Sequence, residues 1–281
     1  MEIMIVYEKQ KLPYFVKKKI EEGGVAEEIF RGRILFDESR EKNKWINEEH
    51  SEFLLLLTSN GYEVSKITEG PINYANIKDF DILFISGTRV GSMNFSAVEI
   101  RSIAQFVSDG RGLFLIGNEY IGKEKNFNYL FNQLFGISFR EQVKDDVNNA
   151  NPTAGWNYSP TINIFVEHQI TKGLEEIILG HVSGLNLTKS SEPLAFSNPT
   201  SEPVCVPVVG ATEYGKGKVI AIGGDEIFTN APKIGINVRD NKQFILNILE
   251  WMPAWIDCPN CGSGVPPVAT ICPRCKTRIQ R

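Results

Sequence analysis

EIRSIAQFVSDGRGLFLIGN, Glu99 to Asn118, reads as one helix, one turn and one buried strand. Ile100, Ile103, Ala104 and Val107 recur at helical spacing. Just upstream, Ser96 stands three residues before Glu99, the spacing at which a serine hydroxyl and a glutamate carboxylate cap each other's backbone N–H groups. A helix is therefore expected over Phe95–Ser108. Gly110 and Gly112 flank a turn, and Leu113–Ile116 follows as an unbroken apolar run. A strand with no polar alternation belongs to a sheet covered on both faces.

Working outward, Arg33–Phe36 reads as a short buried strand, and Asn47–Ser59 as a helix. Asn47 is its cap, Phe53, Leu54 and Leu57 form its inner face, and Gly61 ends it. Tyr62–Ile67 and Asp81–Ser86 read as strands. The alternation of strands and helices calls for a mostly parallel, doubly wound α/β sheet. Downstream, Asn126–Phe135 reads as a helix closed by Gly136 and Asp145–Pro160 as a long loop. Ile162–Phe165 is a short strand, Thr171–Leu179 a helical piece and Ser183–Val204 a run of turns. Cys205–Val209 and Lys218–Ile222, around Gly215 and Gly217, suggest a hairpin at a sheet edge. Asp240–Trp251 is the last helix, stopped by Pro253. Residues 1–30 form an N-terminal extension of uncertain packing, with Ile3–Tyr7 strand-like and Phe15–Phe30 a broken helical pattern. The α/β domain is expected over 31–253 and a small metal-bound segment over 254–281.

Of 281 residues, 42% are hydrophobic and the formal net charge is -4, which places the chain among globular proteins and argues against a general polyanion binder. Apolar runs such as Phe53–Leu57 are too short to span a bilayer, and MEIMIVYEKQ does not resemble a secretory signal. A cytoplasmic location without membrane contact is expected.

Four of the five cysteines crowd the C-terminal segment as Cys258-x2-Cys261, ten further residues, then Cys272-x2-Cys275, in the knuckles CPNCG and CPRCK. Each pair can place two thiolates on one ion, and two pairs complete a tetrahedron. One structural Zn2+ is expected, with an iron site or a redox pair as alternatives. Four thiolates leave no open position for catalysis. So short a segment has little core, and the metal should supply most of its folding energy. Trp251 and Trp255 are placed to pack it against the last helix. Its cations Arg274, Lys276, Arg278 and Arg281 could meet nucleic-acid phosphate, but from Cys258 onward there is no aromatic residue for base stacking. A protein partner or a second copy of the chain is the favoured contact.

Open parallel sheets carry their sites at the carboxyl ends of strands. The residues expected there are Asp37, Glu38 and Arg40; Ser86, Gly87, Thr88 and Arg89; Gly117, Asn118 and Glu119; and Asp225 and Glu226 after Gly223 and Gly224. Asp37, Glu119 and Asp225 are candidates for acid–base work or for holding a divalent ion, if they meet; otherwise they cap helices and close turns. Familiar catalytic kits are missing: there is no G-x-S-x-G elbow and no phosphate-binding G-x-x-x-x-G-K-[ST] loop. Of three histidines, His50 reads as a surface residue, His168 as a loop-orienting residue and His181 as part of a glycine-bounded loop. Cys205 lies in an apolar run and reads as a core thiol, not a nucleophile paired with His168 or His181.

Several stretches resemble the class I glutamine amidotransferase-like superfamily. They are ILFDESR (34–40), DILFISG (81–87), the Glu99–Asn118 stretch, HQITKGL (168–174), EYGKGKVIAIGGDEIFTN (213–230) and DNKQFILNILEW (240–251). The nearest likeness is to non-amidotransferase branches: ThuA-like proteins, DUF4350 proteins and the N-terminal domain of the intraflagellar transport protein IFT-fifty-two. The resemblance implies a flavodoxin-like domain. It also implies that a true amidotransferase would carry a cysteine in the turn after Leu113–Ile116 and a late histidine–glutamate pair near Gly223–Glu226. Here those places read Gly117-Asn118-Glu119 and GGDE, so glutaminase activity is not expected. The four-cysteine segment resembles a rubredoxin-like zinc ribbon. Together these readings favour a non-catalytic binding or scaffold protein. The rivals are a carboxylate-based hydrolase or transferase, and a nucleic-acid binder docking through Arg274, Lys276 and Arg278.

Overall fold

The computed structural model describes residues 30–40, 44–87, 94–123, 125–146, 157–252, 256–262, 264–265, 269–272 and 274–279. The readings made for residues 1–29, Thr88, Arg89, Pro253, Trp255 and Arg281 lie outside them, as does 147–156 of the long loop. In chain order the main elements are β1 (Gly32–Asp37), α1 (Ser51–Ser59), β2 (Tyr62–Ile67), α2 (Tyr74–Ile77), β3 (Ile82–Gly87), α3 (Ala97–Ser108), β4 (Gly112–Gly117), α4 (Lys125–Phe135) and β5 (Ile137–Gln142). There follow β6 (Thr161–Ile162), β7 (Ile164–Phe165), β8 (Ile177–Ile178), β9 (Ser183–Leu187), β10 (Glu192–Phe196), β11 (Pro207–Tyr214), β12 (Gly217–Ile222), α5 (Asn241–Trp251), β13 (Ile256–Asp257) and β14 (Gly264–Val265).

An eight-stranded mixed sheet runs in the order β2-β1-β3-β4-β12-β11-β10-β7. The first five strands are parallel and the last three pair antiparallel. Successive residues of the central strands enter two different cores, as the period-2 pleat requires. Ile34, Phe36, Phe84, Phe114, Ile116, Ile220 and Ile222 face α1 and α5, together with Phe53, Leu57, Phe244 and Ile248. Leu35, Leu83, Ile85, Leu113, Leu115, Val219 and Ala221 face α3 and α4, together with Ile103, Phe106, Phe127 and Phe131. Helices thus cover both faces of the sheet. At the centre Phe84 and Phe114 stack with ring centroids 4.0 Å apart and planes 13° from parallel.

The capping box on α3 forms as read: Glu99 N–H donates to Ser96 Oγ at 3.3 Å and Ser96 N–H to Glu99 Oε2 at 2.8 Å. Other expectations need correction. The β11–β12 hairpin is not at an edge, because β12 pairs with β4 and β11 with β10. Ser183–Val204 holds two strands, β9 and β10, and β5 pairs with β9. Ile162–Phe165 breaks at Asn163 into β6 and β7, which pair with β8 and β10 respectively. The helical piece near Thr171 is a single 3-10 turn, Gln169–Thr171, capped by His168 rather than Thr171. Helix α1 is preceded by a separate 3-10 turn, Glu48–His50, capped by Asn47. His50 is buried, not on the surface; its ring packs 5.0 Å from that of Trp45 and Nδ1 lies 2.9 Å from Asn47 Oδ1. Cys205 is exposed in a turn with φ 50°, because β11 begins only at Pro207.

Truncating the central stack removes contacts from the first of the two cores. Phe114→Ala should therefore cost about 3–5 kcal/mol of unfolding free energy, read from the urea midpoint. A loss below about 1 kcal/mol would mean the sheet centre is not close-packed.

Candidate functional site

The strand order reverses at β1, so the crevice between the ends of β1 and β3 is where this architecture is expected to bind a ligand. The chain fills that place with its own side chain. Arg40 Nη1 pairs with Asp37 Oδ2 at 2.9 Å, its Nη2 pairs with Glu99, and its guanidinium carbon lies 3.8 Å over the Phe95 ring. Neighbouring Glu38 is fully buried, accepts the N–H groups of Trp45 and Ile46 at 2.9 and 2.7 Å, and pairs with Lys66 at 3.3 Å. Asp225, after β12, pairs with Lys44 at 2.8 Å. Asp37 and Asp225 are thus each engaged by a different cation.

The third candidate, Glu119, sits in a different constellation. Asn118 accepts Tyr120 N–H on its side chain at 3.1 Å and Ile121 N–H on its carbonyl at 3.1 Å, which turns the chain sharply after β4 and projects Glu119. From the segment between β8 and β9, His181 meets it: His181 Nδ1 lies 2.9 Å from Glu119 Oε1 and Nε2 3.2 Å from Glu226 Oε1. The two carboxylates grip opposite ring nitrogens and hold the imidazole as a cation. Hydrogen bonds donated to Glu119 and then Glu226 push the His181 pKa up to about 10 against the effect of partial burial. The second oxygens, Glu119 Oε2 and Glu226 Oε2, are buried without a hydrogen-bond partner.

Backbone geometry makes this meeting possible. A Cβ on Gly180 would lie 2.1 Å from Glu226 Oε2, so only glycine leaves room for the carboxylate. His181 itself adopts φ 51°, a left-handed conformation unfavourable for a non-glycine residue. Its N–H donates to Tyr158 O at 2.9 Å. An open cavity of about 660 Å³ lies alongside, lined by Glu119, Tyr120, Arg140, Tyr158 and His181 among others. Sequence reading found Glu119 and placed Glu226 at a strand end. Read locally, His181 belongs to a glycine-bounded loop and is weighed only as a partner for Cys205; nothing in the sequence joins it to Glu119 or Glu226.

The four cysteines converge, with all four sulfurs within 4.8 Å of one another. Cys258 and Cys275 sulfurs are 3.5 Å apart and those of Cys261 and Cys272 3.7 Å. A tetrahedral ion with Zn–S bonds of about 2.3 Å has sulfur–sulfur edges of about 3.8 Å, so the set fits such an ion. The two knuckles repeat one geometry. Gly262 N–H donates to Cys258 O and Lys276 N–H to Cys272 O, each at 2.9 Å, with φ of 68° and 59°. Glycine supplies that conformation freely in the first knuckle; a lysine adopts it in the second. Arg274, Lys276 and Arg278 are exposed. Among the described residues, no other set of three or more His, Cys, Asp or Glu residues brings its ligating atoms this close. Asp37, Glu119 and Asp225 therefore do not gather as a metal-binding trio.

No protein-family model and no curated protein sequence matches the chain. Solved structures do. The mmIFT52 N-terminal domain matches with a TM-score of 0.66 at 14% identity, covering 78% of this chain and 96% of that one. A protein of Salmonella typhimurium LT2 described as cytoplasmic matches at 0.57 and 19% identity, over 79% and 99% of the two chains. A ThuA-like protein from Bacteroides uniformis matches at 0.51 and 14% identity, over 82% and 94%. The chain has a distant ThuA-like, Rossmann-type fold resemblance. At these identities the likeness establishes the fold alone. Among the described residues no helix is long and apolar enough to cross a membrane.

A histidine whose pKa is raised on folding contributes stability that is complete below its unfolded value near 6.5 and is lost as pH rises toward about 10. His181→Asn keeps a residue tolerant of left-handed φ but removes the charge. The wild-type melting temperature should fall between pH 7 and 10 more steeply than that of His181→Asn; parallel pH profiles would contradict the clamp. For the cysteines, metal analysis should find about one zinc per chain. Cys272→Ser should release it and collapse the NMR dispersion of residues 256–279 while the α/β domain keeps its melting temperature. Retention of a full equivalent of metal by that variant would refute the site.

Proposed function

We propose that this chain is a non-catalytic binding or scaffold protein. In this reading it combines a flavodoxin-like domain of the amidotransferase-like type, without the nucleophile, with a C-terminal zinc ribbon that serves structure and protein contact in the cytoplasm. The observation that carries it is the state of the strand ends. The turn after β4 holds Gly117, Asn118 and Glu119 where an amidotransferase cysteine would stand, and His181 is fixed as an imidazolium by Glu119 and Glu226. A histidine held protonated to about pH 10 has no lone pair with which to activate a nucleophile at neutral pH. Engagement of Asp37 by Arg40 and Asp225 by Lys44 argues against the carboxylate-based hydrolase or transferase. Four thiolates around one ion leave no coordination site for substrate.

A second reading, docking to nucleic-acid phosphate, draws support from the exposure of Arg274, Lys276 and Arg278 on one knuckle. Three such contacts would give weak binding that falls steeply with salt and disappears on charge reversal at Arg274 and Lys276.

Purified chain incubated with glutamine and with nitrophenyl esters, phosphates and glycosides should show no turnover above that of Glu119→Gln. The binding reading fails if the wild-type chain turns over any of these and Glu119→Gln or Glu226→Gln abolishes the activity.

A further inference from the structure

The second cysteine knuckle has a face that metal binding does not use. Ile271 and Arg278 form an antiparallel bridge. On either side of it Cys272 N–H donates to Thr277 O at 2.8 Å and Ile279 N–H to Thr270 O at 2.9 Å. In such a ladder alternate residues point to opposite sides. Cys272 and Ile279 therefore turn inward, where they pack with Cys258, Val265 and Ala269. Ile271 and Arg278 turn outward side by side, and Ile271 is left 56% exposed. Arg274 and Lys276, in the turn that joins the two arms, are exposed as well. The outer face thus pairs an isoleucine with an arginine, on a knuckle whose turn adds two further cations.

Charge selects the partner. From Cys258 onward the chain has four basic residues and no Asp or Glu. A zinc–tetrathiolate centre carries a formal charge of −2, so the segment keeps a formal +2 with the metal bound. Of the chain's 30 basic and 34 acidic residues, 26 and 34 precede Cys258, a net −8. Cations at the strand ends have carboxylate partners: Arg40 has Asp37, Lys44 has Asp225 and Lys66 has Glu38. The knuckle has no acid of its own, and its electrostatic complement is an acidic partner. Phosphate would supply negative charge too, but two features favour a protein. A nucleic acid extends past so small a knuckle and is repelled by the −8 remainder of the chain. Ile271 gains nothing from phosphate, whereas apolar area buried against another side chain contributes roughly 25 cal/mol per Å². One exposed isoleucine alone is ordinary. Beside an arginine on the face of a ladder, it matches the apolar centre and charged rim of a protein interface.

We propose that the outer face of this knuckle docks an acidic protein segment that carries one apolar side chain: the anchor packs on Ile271, and its flanking carboxylates meet Arg274, Lys276 and Arg278. The proposal names the partner chemistry for the ribbon's protein contact and rests on that reading. The zinc-loaded full chain would be titrated at low salt with three short peptides, followed by NMR of residues 269–279. One peptide sets a leucine among Asp and Glu, the second replaces that leucine by serine, and the third replaces the acids by lysine. A single-stranded and a duplex oligonucleotide complete the probes. Saturable shifts with the acidic leucine peptide are expected, several-fold weaker binding of its serine version and none of the lysine version. Ile271→Ser should weaken the leucine peptide several-fold, and Arg278→Glu about tenfold. Both side chains point outward, so zinc content should be unchanged in the variants; Arg274→Glu, in the turn, gives a second test of charge if Arg278→Glu loses its metal. No binding of the acidic leucine peptide, equal binding of its serine version, or affinity unchanged in the variants would overturn the proposal. So would tighter binding of either oligonucleotide, which would assign the face to phosphate. Self-association of the chain that Ile271→Ser and Arg278→Glu abolish would overturn it in favour of a second copy. Any of these failures leaves the non-catalytic reading standing, because turnover decides that reading and peptide binding does not.

Discussion

Burial of both faces of β1, β3, β4 and β12 is the constraint on which the rest of this structure depends. Alternate residues of these strands enter opposite cores, and nearly all are fully shielded from water. Buried apolar surface contributes roughly 25 cal/mol per Å², so a shift of one strand by one residue would exchange its two faces and mismatch both cores at once. The parallel register is thereby fixed. It also leaves no room for polar chemistry within the sheet, and polar side chains are driven to the strand ends.

At those ends the chain spends its charges on itself. Arg40 occupies the crevice where the strand order reverses, and Lys44 engages Asp225. Around His181 the balance differs: two carboxylates grip one imidazolium, and two of their four oxygens lack a donor. The same segments that close the fold produce this cluster. Ser183 N–H donates to Gly223 O at 2.8 Å, which brings the turn carrying His181 against the turn carrying Glu226. Tertiary packing, rather than local sequence, builds the clamp.

Much of the scaffold was legible because its signals are local. The Ser96–Glu99 capping box, the apolar run Leu113–Ile116 and the two cysteine knuckles each depend on a few neighbouring residues, and each formed as read. The misreadings involve partners distant in the chain. His50 is polar in isolation, but Trp45 and the nearby aromatic core bury it. Cys205 reads as strand, yet the chain enters β11 only at Pro207 and leaves the thiol in a turn. The β11–β12 hairpin looked like an edge because nothing local announces that β12 pairs with β4, 106 positions earlier in the chain. For the same reason Glu119 and His181 were each visible in the sequence, but their pairing across 62 residues was not.

The Glu119–His181–Glu226 clamp depends on the protonation of His181. Nitrogen-detected NMR of the imidazole in the full chain at pH 8 tests it directly. Both ring nitrogens should carry protons, with chemical shifts that remain constant from pH 6 to 8.5 and begin to titrate only toward about pH 10. A neutral ring at pH 8, or titration near the ordinary histidine value of about 6.5, would contradict the clamp and return His181 to the list of candidate bases.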